Sequence, residues 1–232
     1  MLLSNNKKVM MLGVPKTGTR SSLSVLSPYG INLLYKAPGK NEGNHITYTQ
    51  CCEICEDSDF GVQGFSRVGV DKVYIFWRDP VHRFISAINY VRGVRKNRYL
   101  LRRKQEWFPS VDFTNYRNPM LGGVNEDFWL SADAAAARIT PEQIFADAAT
   151  LRTEHFRAQV DWYKDVPNDK LIVLDFAQFD AGLRRIAADF GAPADTPIPV
   201  VNESRKLTTT LSPELEAAVR AYYADDYALK PT

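Results

Sequence analysis

The stretch Lys72-Val-Tyr-Ile-Phe-Trp-Arg-Asp-Pro80 decides the fold. After its lysine it is an unbroken apolar run. A strand with water on one face alternates apolar and polar residues, whereas a continuous apolar run fits a strand buried on both faces, as in a parallel sheet. The run stops at Arg78. Asp79 is then a good N-cap and Pro80 a good first helical residue. A helix therefore follows at once, and the pattern carries it past Tyr90 to about Leu101.

The same alternation extends outward. Residues 8–13 read as a short buried strand that enters a Gly/Pro/Thr loop. A helix over 21–26 follows and ends at Ser27-Pro28. Residues 32–35 form a candidate strand, 36–44 a loop and 47–56 a helix. Residues 170–175 read as a second clear buried strand, and 179–190 as an amphipathic helix closed by Gly191 and Pro193. Further helices are expected from Thr140-Pro141, over 152–163, and over 212–223 with Ser212 as N-cap. Residues 108–125 read as a loop. Strands alternating with helices imply an α/β fold with a central, mainly parallel sheet flanked by helices, in one domain over 1–232.

Composition narrows the function classes. The chain has 232 residues, 45% hydrophobic and 24% charged, with a net charge of +2. That describes an ordinary globular protein and is too mild to argue for nucleic acid as a partner. No apolar run approaches the ~20 residues of a membrane span. The first eight residues lack the apolar core of a signal peptide, so the expected compartment is the cytoplasm, without membrane association. Cys51, Cys52 and Cys55 form an odd-numbered cluster near His45. Without a second ligand pair they read as thiols on a helix rather than as a zinc site.

Chemistry concentrates in Gly13-Val-Pro-Lys-Thr-Gly-Thr-Arg-Ser-Ser22. A strand that turns through a glycine loop into a helix aims backbone N–H groups and the positive end of the helix dipole at an anion. Lys16 adds a charge, and Thr17, Thr19, Ser21 and Ser22 add hydroxyls. The triphosphate loop requires Gly-x4-Gly-Lys-Ser/Thr. Gly13 and Gly18 keep that spacing, but Thr19 and Arg20 follow, and the lysine precedes the second glycine by two positions.

The order Pro-Lys-Thr-Gly-Thr resembles the 5′-phosphosulfate loop of sulfotransferases that use 3′-phosphoadenosine 5′-phosphosulfate (PAPS). Arg78-Asp-Pro-Val-His-Arg-Phe-Ile-Ser86 resembles the 3′-phosphate motif of the same superfamily. The likeness is nearest to the carbohydrate branch, heparan 2-O- and chondroitin-like. There a histidine often opens a helix between the two motifs, as His45 does in Gly43-Asn-His-Ile-Thr-Tyr-Thr-Gln50. Glu154-His-Phe-Arg-Ala-Gln159 resembles that branch's His-x-x-x-Gln segment. Asn202-Glu-Ser204 and the ending Tyr223-Ala-Asp-Asp-Tyr-Ala-Leu229 are also similar. The likeness is diffuse outside the two phosphate motifs. The chain departs from the branch in lacking the usual paired cysteines, and it is expected to be shorter than that branch and without its membrane anchor.

The resemblance implies a P-loop-like three-layer fold and a metal-free transfer of a sulfuryl group from PAPS to an acceptor hydroxyl. Pro15, Lys16, Thr17, Gly18, Thr19, Arg20 and Ser21 would hold the 5′ end of the donor. Arg78 and Ser86 would hold its 3′-phosphate, with Arg205 of the pair Arg205-Lys206 closing on it, while Arg83 supports its helix. Lys16 would stabilise the departing oxygen. The acceptor needs a base, for which histidine suits neutral pH. His45 is the candidate, with His155 and Glu42 as alternatives and His82 facing solvent. Seven basic residues between Arg92 and Lys104 form either a solvated face or a strip for an anionic glycan acceptor. Two other functions compete. A divergent ATP-dependent kinase would need a metal-binding carboxylate such as Asp175, and a non-catalytic nucleotide-binding module would not need His45.

Overall fold

A computed structural model of the chain describes residues 1–33, 45–57, 61–92, 140–151, 155–199 and 209–231. Expectations for residues 34–44, the continuation of the helix beyond Arg92, the basic strip, the loop over 108–125, Glu42, Asn202-Glu-Ser204 and Arg205 lie outside them. The described residues group into two compact units. One comprises Met1–Asp79, Ala158–Asn202 and Ala224–Thr232, the other Pro80–Arg157 and Glu203–Tyr223. No described helix is long and apolar enough to cross a membrane.

The first unit is built on a five-stranded sheet: β1 (Leu2–Ser4), β2 (Val9–Met11), β3 (Gly30–Asn32), β4 (Lys72–Trp77) and β5 (Leu171–Asp175), in the order β3-β1-β2-β4-β5. β2 pairs in parallel with β4, and β4 with β5. β1 lies antiparallel between β3 and β2. The fold is α/β, as expected, and four strands share one direction. The sheet is thus mainly parallel, as expected, and mixed only where the first residues of the chain insert β1. This strand is three residues long and turns back through Asn5–Lys8, too short for its alternation to register. The turn is held by Lys7 N–H on the Ser4 carbonyl (2.8 Å) and Val9 N–H on the Ser4 hydroxyl oxygen (3.0 Å), with Lys7 at φ 63°.

β4 has the burial that its sequence predicts, with residues 73–77 all buried. Alternate side chains enter opposite faces. Val73 and Ile75 join a core with Met10, Leu12, Trp162 and the three cysteines. Tyr74 and Phe76 join a core with Met11, Leu26, Leu183 and Ile186. Helices α1 (Thr19–Leu26) and α6 (Phe179–Asp189) therefore cover one face, and α2 (Tyr48–Glu56) and α5 (Val160–Tyr163) the other. β5 departs from expectation. All five of its residues are only partly buried, because among the described residues it pairs with β4 alone and forms the sheet edge.

Local signals explain the helix ends. Thr47 and Gln50 form a reciprocal capping box on α2. α6 stops before Gly191, whose φ of 83° suits a residue without a Cβ.

The second unit packs α3 (Pro80–Arg92), α4 (Pro141–Leu151) and α7 (Pro213–Tyr222), the last capped by Ser212. Phe84 meets Phe145 and Phe156 edge-on at 5.7 and 5.5 Å. The helix expected over 152–163 is shorter than its pattern, with only Val160–Tyr163 helical in its second half. The carbonyls of His155 and Arg157 accept from the buried Arg83 guanidinium, and that of Phe156 accepts from the Tyr223 hydroxyl. Those tertiary bonds replace the i to i−4 ladder. A last short helix, α8 (Ala224–Tyr227), belongs to the first unit.

Candidate functional site

The loop over residues 13–18 leaves the carboxyl end of β2, and Arg78 leaves the carboxyl end of the adjacent β4. From β2 the chain crosses by α1 to β3 on one side, and from β4 it continues to β5 on the other. Adjacent parallel strands whose connections diverge open a crevice at their carboxyl ends, where open α/β sheets bind ligands. Two of the motifs singled out in the sequence meet there.

The loop backbone is unusual where the sequence is. Lys16 has φ 68° and Gly18 has φ 79°, both left-handed. For a lysine that conformation costs free energy and persists only where its surroundings enforce it. Arg78 supplies one constraint, since its Nη1 donates to the Lys16 carbonyl at 3.0 Å. Gly18 is needed twice over. Besides its φ, a Cβ there would lie 2.5 Å from the Phe179 ring and 3.1 Å from that of Phe176. Gly18 is the N-cap of α1, in the left-handed conformation and without a side-chain cap hydrogen bond.

The hydroxyls behave differently from expectation. Thr17 and Thr19 both donate to the Val14 carbonyl, at 2.9 and 3.1 Å, and Ser22 donates to the Gly18 carbonyl at 3.3 Å. Their donor hydrogens brace the loop from within. Pro15 and Ser21 are buried, and Arg20 is exposed on the first turn of α1. Arg78 also differs from its motif reading as a group apart from the loop. Besides bonding the Lys16 carbonyl, its guanidinium lies over the Phe176 ring at 4.8 Å. A guanidinium has five N–H donors, so these contacts are compatible with binding a phosphate.

His45 precedes the α2 capping box. Its Nδ1 lies 2.5 Å from the Gly13 carbonyl, and its ring meets Trp162 edge-on at 6.1 Å. A carbonyl oxygen only accepts, so in the neutral ring Nδ1 carries the proton and Nε2 the lone pair. Burial is the main cause that pushes the His45 pKa down to about 4. The bond to Gly13 opposes the shift, and the N-terminal amine, Lys16 and Arg20 add to it. Burial likewise lowers Lys16 to about 8, assisted by Arg78 and Arg20. Lys16, Arg20, Arg78 and His45 thus form one electrostatic cluster, even though 62 positions separate Lys16 from Arg78.

Ser86 is partly buried in α3, and His82 on the same helix is exposed. Both belong to the second unit, as does His155, whose ring stacks on Tyr90 with centroids 4.7 Å apart. Arg83 is fully buried, over the Tyr223 ring, in the supporting role expected of it. The three cysteines are free and buried in the core. Among the described residues no group of three or more His, Cys, Asp or Glu side chains could hold a metal ion. Asp175 caps its own turn by accepting from Ala177 N–H at 2.8 Å.

Phe176 and Phe179, which wall the loop at Gly18, escaped the sequence reading, as did the role of Gln159, which grips the Arg78 backbone through both of its amide atoms. The His-x-x-x-Gln pattern flags Gln159 without saying what it does, because its partner lies 81 positions away. No protein-family model matches the chain, and no curated protein or solved structure matches it.

Proposed function

We propose that this chain is a sulfotransferase with a P-loop-like fold that moves a sulfuryl group from PAPS to an acceptor hydroxyl, a carbohydrate being the favoured acceptor class. One observation carries the reading. The misplaced loop lysine is held in a left-handed turn, its carbonyl is bonded to Arg78, and His45 is bonded to the carbonyl of Gly13 where the same loop begins. The donor fits this cluster because crowded cations beside a helix N-terminus favour a multiply charged anion. The donor supplies an activated sulfuryl group and a stable leaving phosphate.

The chain's residues divide the remaining work. The N–H groups at the start of α1 hold the 5′-phosphate, and Lys16 stabilises charge developing on its bridging oxygen. Arg78 holds a phosphate through its planar fork. His45 Nε2 accepts the proton of the attacking hydroxyl, while Nδ1–H on Gly13 fixes the tautomer. In the free protein its pKa of about 4 makes it neutral but weakly basic, chiefly because it is buried, with Lys16 and Arg20 adding a smaller part. Negative charge bound on the loop offsets those cations, so His45 gains basicity when the donor is in place.

A kinase would use Asp175 as a metal ligand, and its Oδ1 accepts from Ala177 N–H at 2.8 Å. Calorimetric titration tests the choice. With EDTA present, 3′,5′-adenosine bisphosphate should bind at least about tenfold more tightly than ATP, a gap of roughly 1.4 kcal/mol. Tighter binding of ATP, and only with Mg²⁺, would sink the proposal in favour of a kinase.

A further inference from the structure

Arg78 follows the last residue of β4, where the ladder ends and its N–H and C=O require other partners. Both find them in one side chain. Gln159 Oε1 accepts from Arg78 N–H at 3.0 Å, and Gln159 Nε2 donates to the Arg78 carbonyl at 2.8 Å. The amide thus continues the sheet by one residue. Gln159 is fully buried and is itself held. Its Nε2 lies 3.4 Å from Asp226 Oδ2, while Asp226 Oδ1 accepts from Val160 N–H at 3.0 Å. Asp226 is fully buried as well, and its carbonyl accepts from Trp77 Nε1 at 2.7 Å, so the network returns to the end of β4.

A side chain leaves the backbone in a direction set by its own peptide. Pinning both polar groups of residue 78 therefore aims its guanidinium, and that guanidinium bonds the carbonyl of the left-handed Lys16. The bonds run from Asp226 through Gln159 and Arg78 to Lys16. We infer that Gln159, backed by Asp226, is a positioning residue that sets Arg78, and through it the Lys16 turn, for phosphate binding. The inference rests on the reading of the loop as the site of a doubly phosphorylated nucleotide.

A double-mutant cycle tests it, with 3′,5′-adenosine bisphosphate as the probe and wild type, Gln159→Met, Arg78→Met and the double variant as proteins. Methionine fills similar space and removes both bonds to Arg78. With the circular dichroism spectrum retained, Gln159→Met should weaken binding by about tenfold, as expected for two lost hydrogen bonds. In the Arg78→Met background it should change binding by less than about twofold, because the effect passes through Arg78. Equal losses in both backgrounds, or no loss in either, overturn the inference. Should Gln159→Met fail to fold, Gln159→Glu combined with Asp226→Asn replaces it. That pair keeps the acceptor for Arg78 N–H, loses the donor to its carbonyl, and should show a smaller loss that again vanishes without Arg78; a loss that survives the removal of Arg78 overturns the inference. If the wild type binds no bisphosphate, the donor reading fails separately. Amide exchange at Arg78 then decides the clamp, with faster exchange in the variant supporting it and equal exchange overturning it.

Discussion

At the scale of the residue, Lys16 and Gly18 carry the account. Gly18 combines a φ of 79° with two rings where a Cβ would sit. Gly18→Ala should cost about 1–3 kcal/mol in a denaturant melt, from the strained backbone and the displaced Phe179, and should weaken bisphosphate binding in parallel. Lys16 makes a prediction of opposite kind, in which the fold survives and the charge is lost. Its pKa of about 8 lies well below that of an ordinary lysine. Bound phosphate favours the charged form and raises that pKa, so binding takes up a proton once the pH exceeds about 8. Affinity should therefore fall as pH rises through 8 toward 10. In Lys16→Arg the fall should be absent over that range, because a guanidinium stays protonated. Titration calorimetry at four or five pH values reads this directly, and identical profiles for the two proteins would remove Lys16 from the site.

At the scale of the element, the ends of β2 and β4 matter more than the strands. Both strands were legible because burial on two faces writes a continuous apolar run, and the helix after β4 because Asp79-Pro80 is a strong start, as Ser212 is for α7. β1 was not legible, since three residues before a tight turn leave no period to detect. The edge position of β5 was hidden for another reason: Leu171–Asp175 has the composition of a central strand, and only the sheet order exposes it. Local sequence singled out Lys16, Gly18, Arg78 and His45, but not the bonds of His45 to Gly13, Arg78 to Lys16 and Arg78 to Gln159, which link positions 32, 62 and 81 residues apart. The inward use of the Thr17 and Thr19 hydroxyls was equally unreadable, because a hydroxyl's direction depends on the loop's fold. One structural contact offers an independent check on the β4–α6 packing. Asp189 accepts from Tyr74 Oη at 2.5 Å and from Lys72 Nζ at 2.8 Å. Those bonds outweigh burial and hold its carboxyl below the usual range. Asp189→Ala should destabilise the protein by about 1–3 kcal/mol, because the Tyr74 hydroxyl loses its acceptor.

At the scale of the whole molecule, the sheet of the first unit brings the loop over residues 13–18, Arg78 and His45 together beyond the carboxyl ends of β2 and β4, where each alone would say little. Burial is the main cause of the lowered Lys16 and His45 pKa values, and the neighbouring cations add to it. The central claim is sulfuryl transfer with His45 as base, and transfer of label from PAPS labelled in its sulfuryl group tests it most directly. With EDTA present, the wild type should move the label to a hydroxyl of an oligosaccharide panel. His45→Ala should lower turnover by about 10²-fold or more while binding 3′,5′-adenosine bisphosphate within about threefold of the wild type, since the base does not hold the donor. Undiminished turnover in His45→Ala, or a wild type that transfers no label to any acceptor but phosphorylates one from ATP with Mg²⁺, would contradict the account.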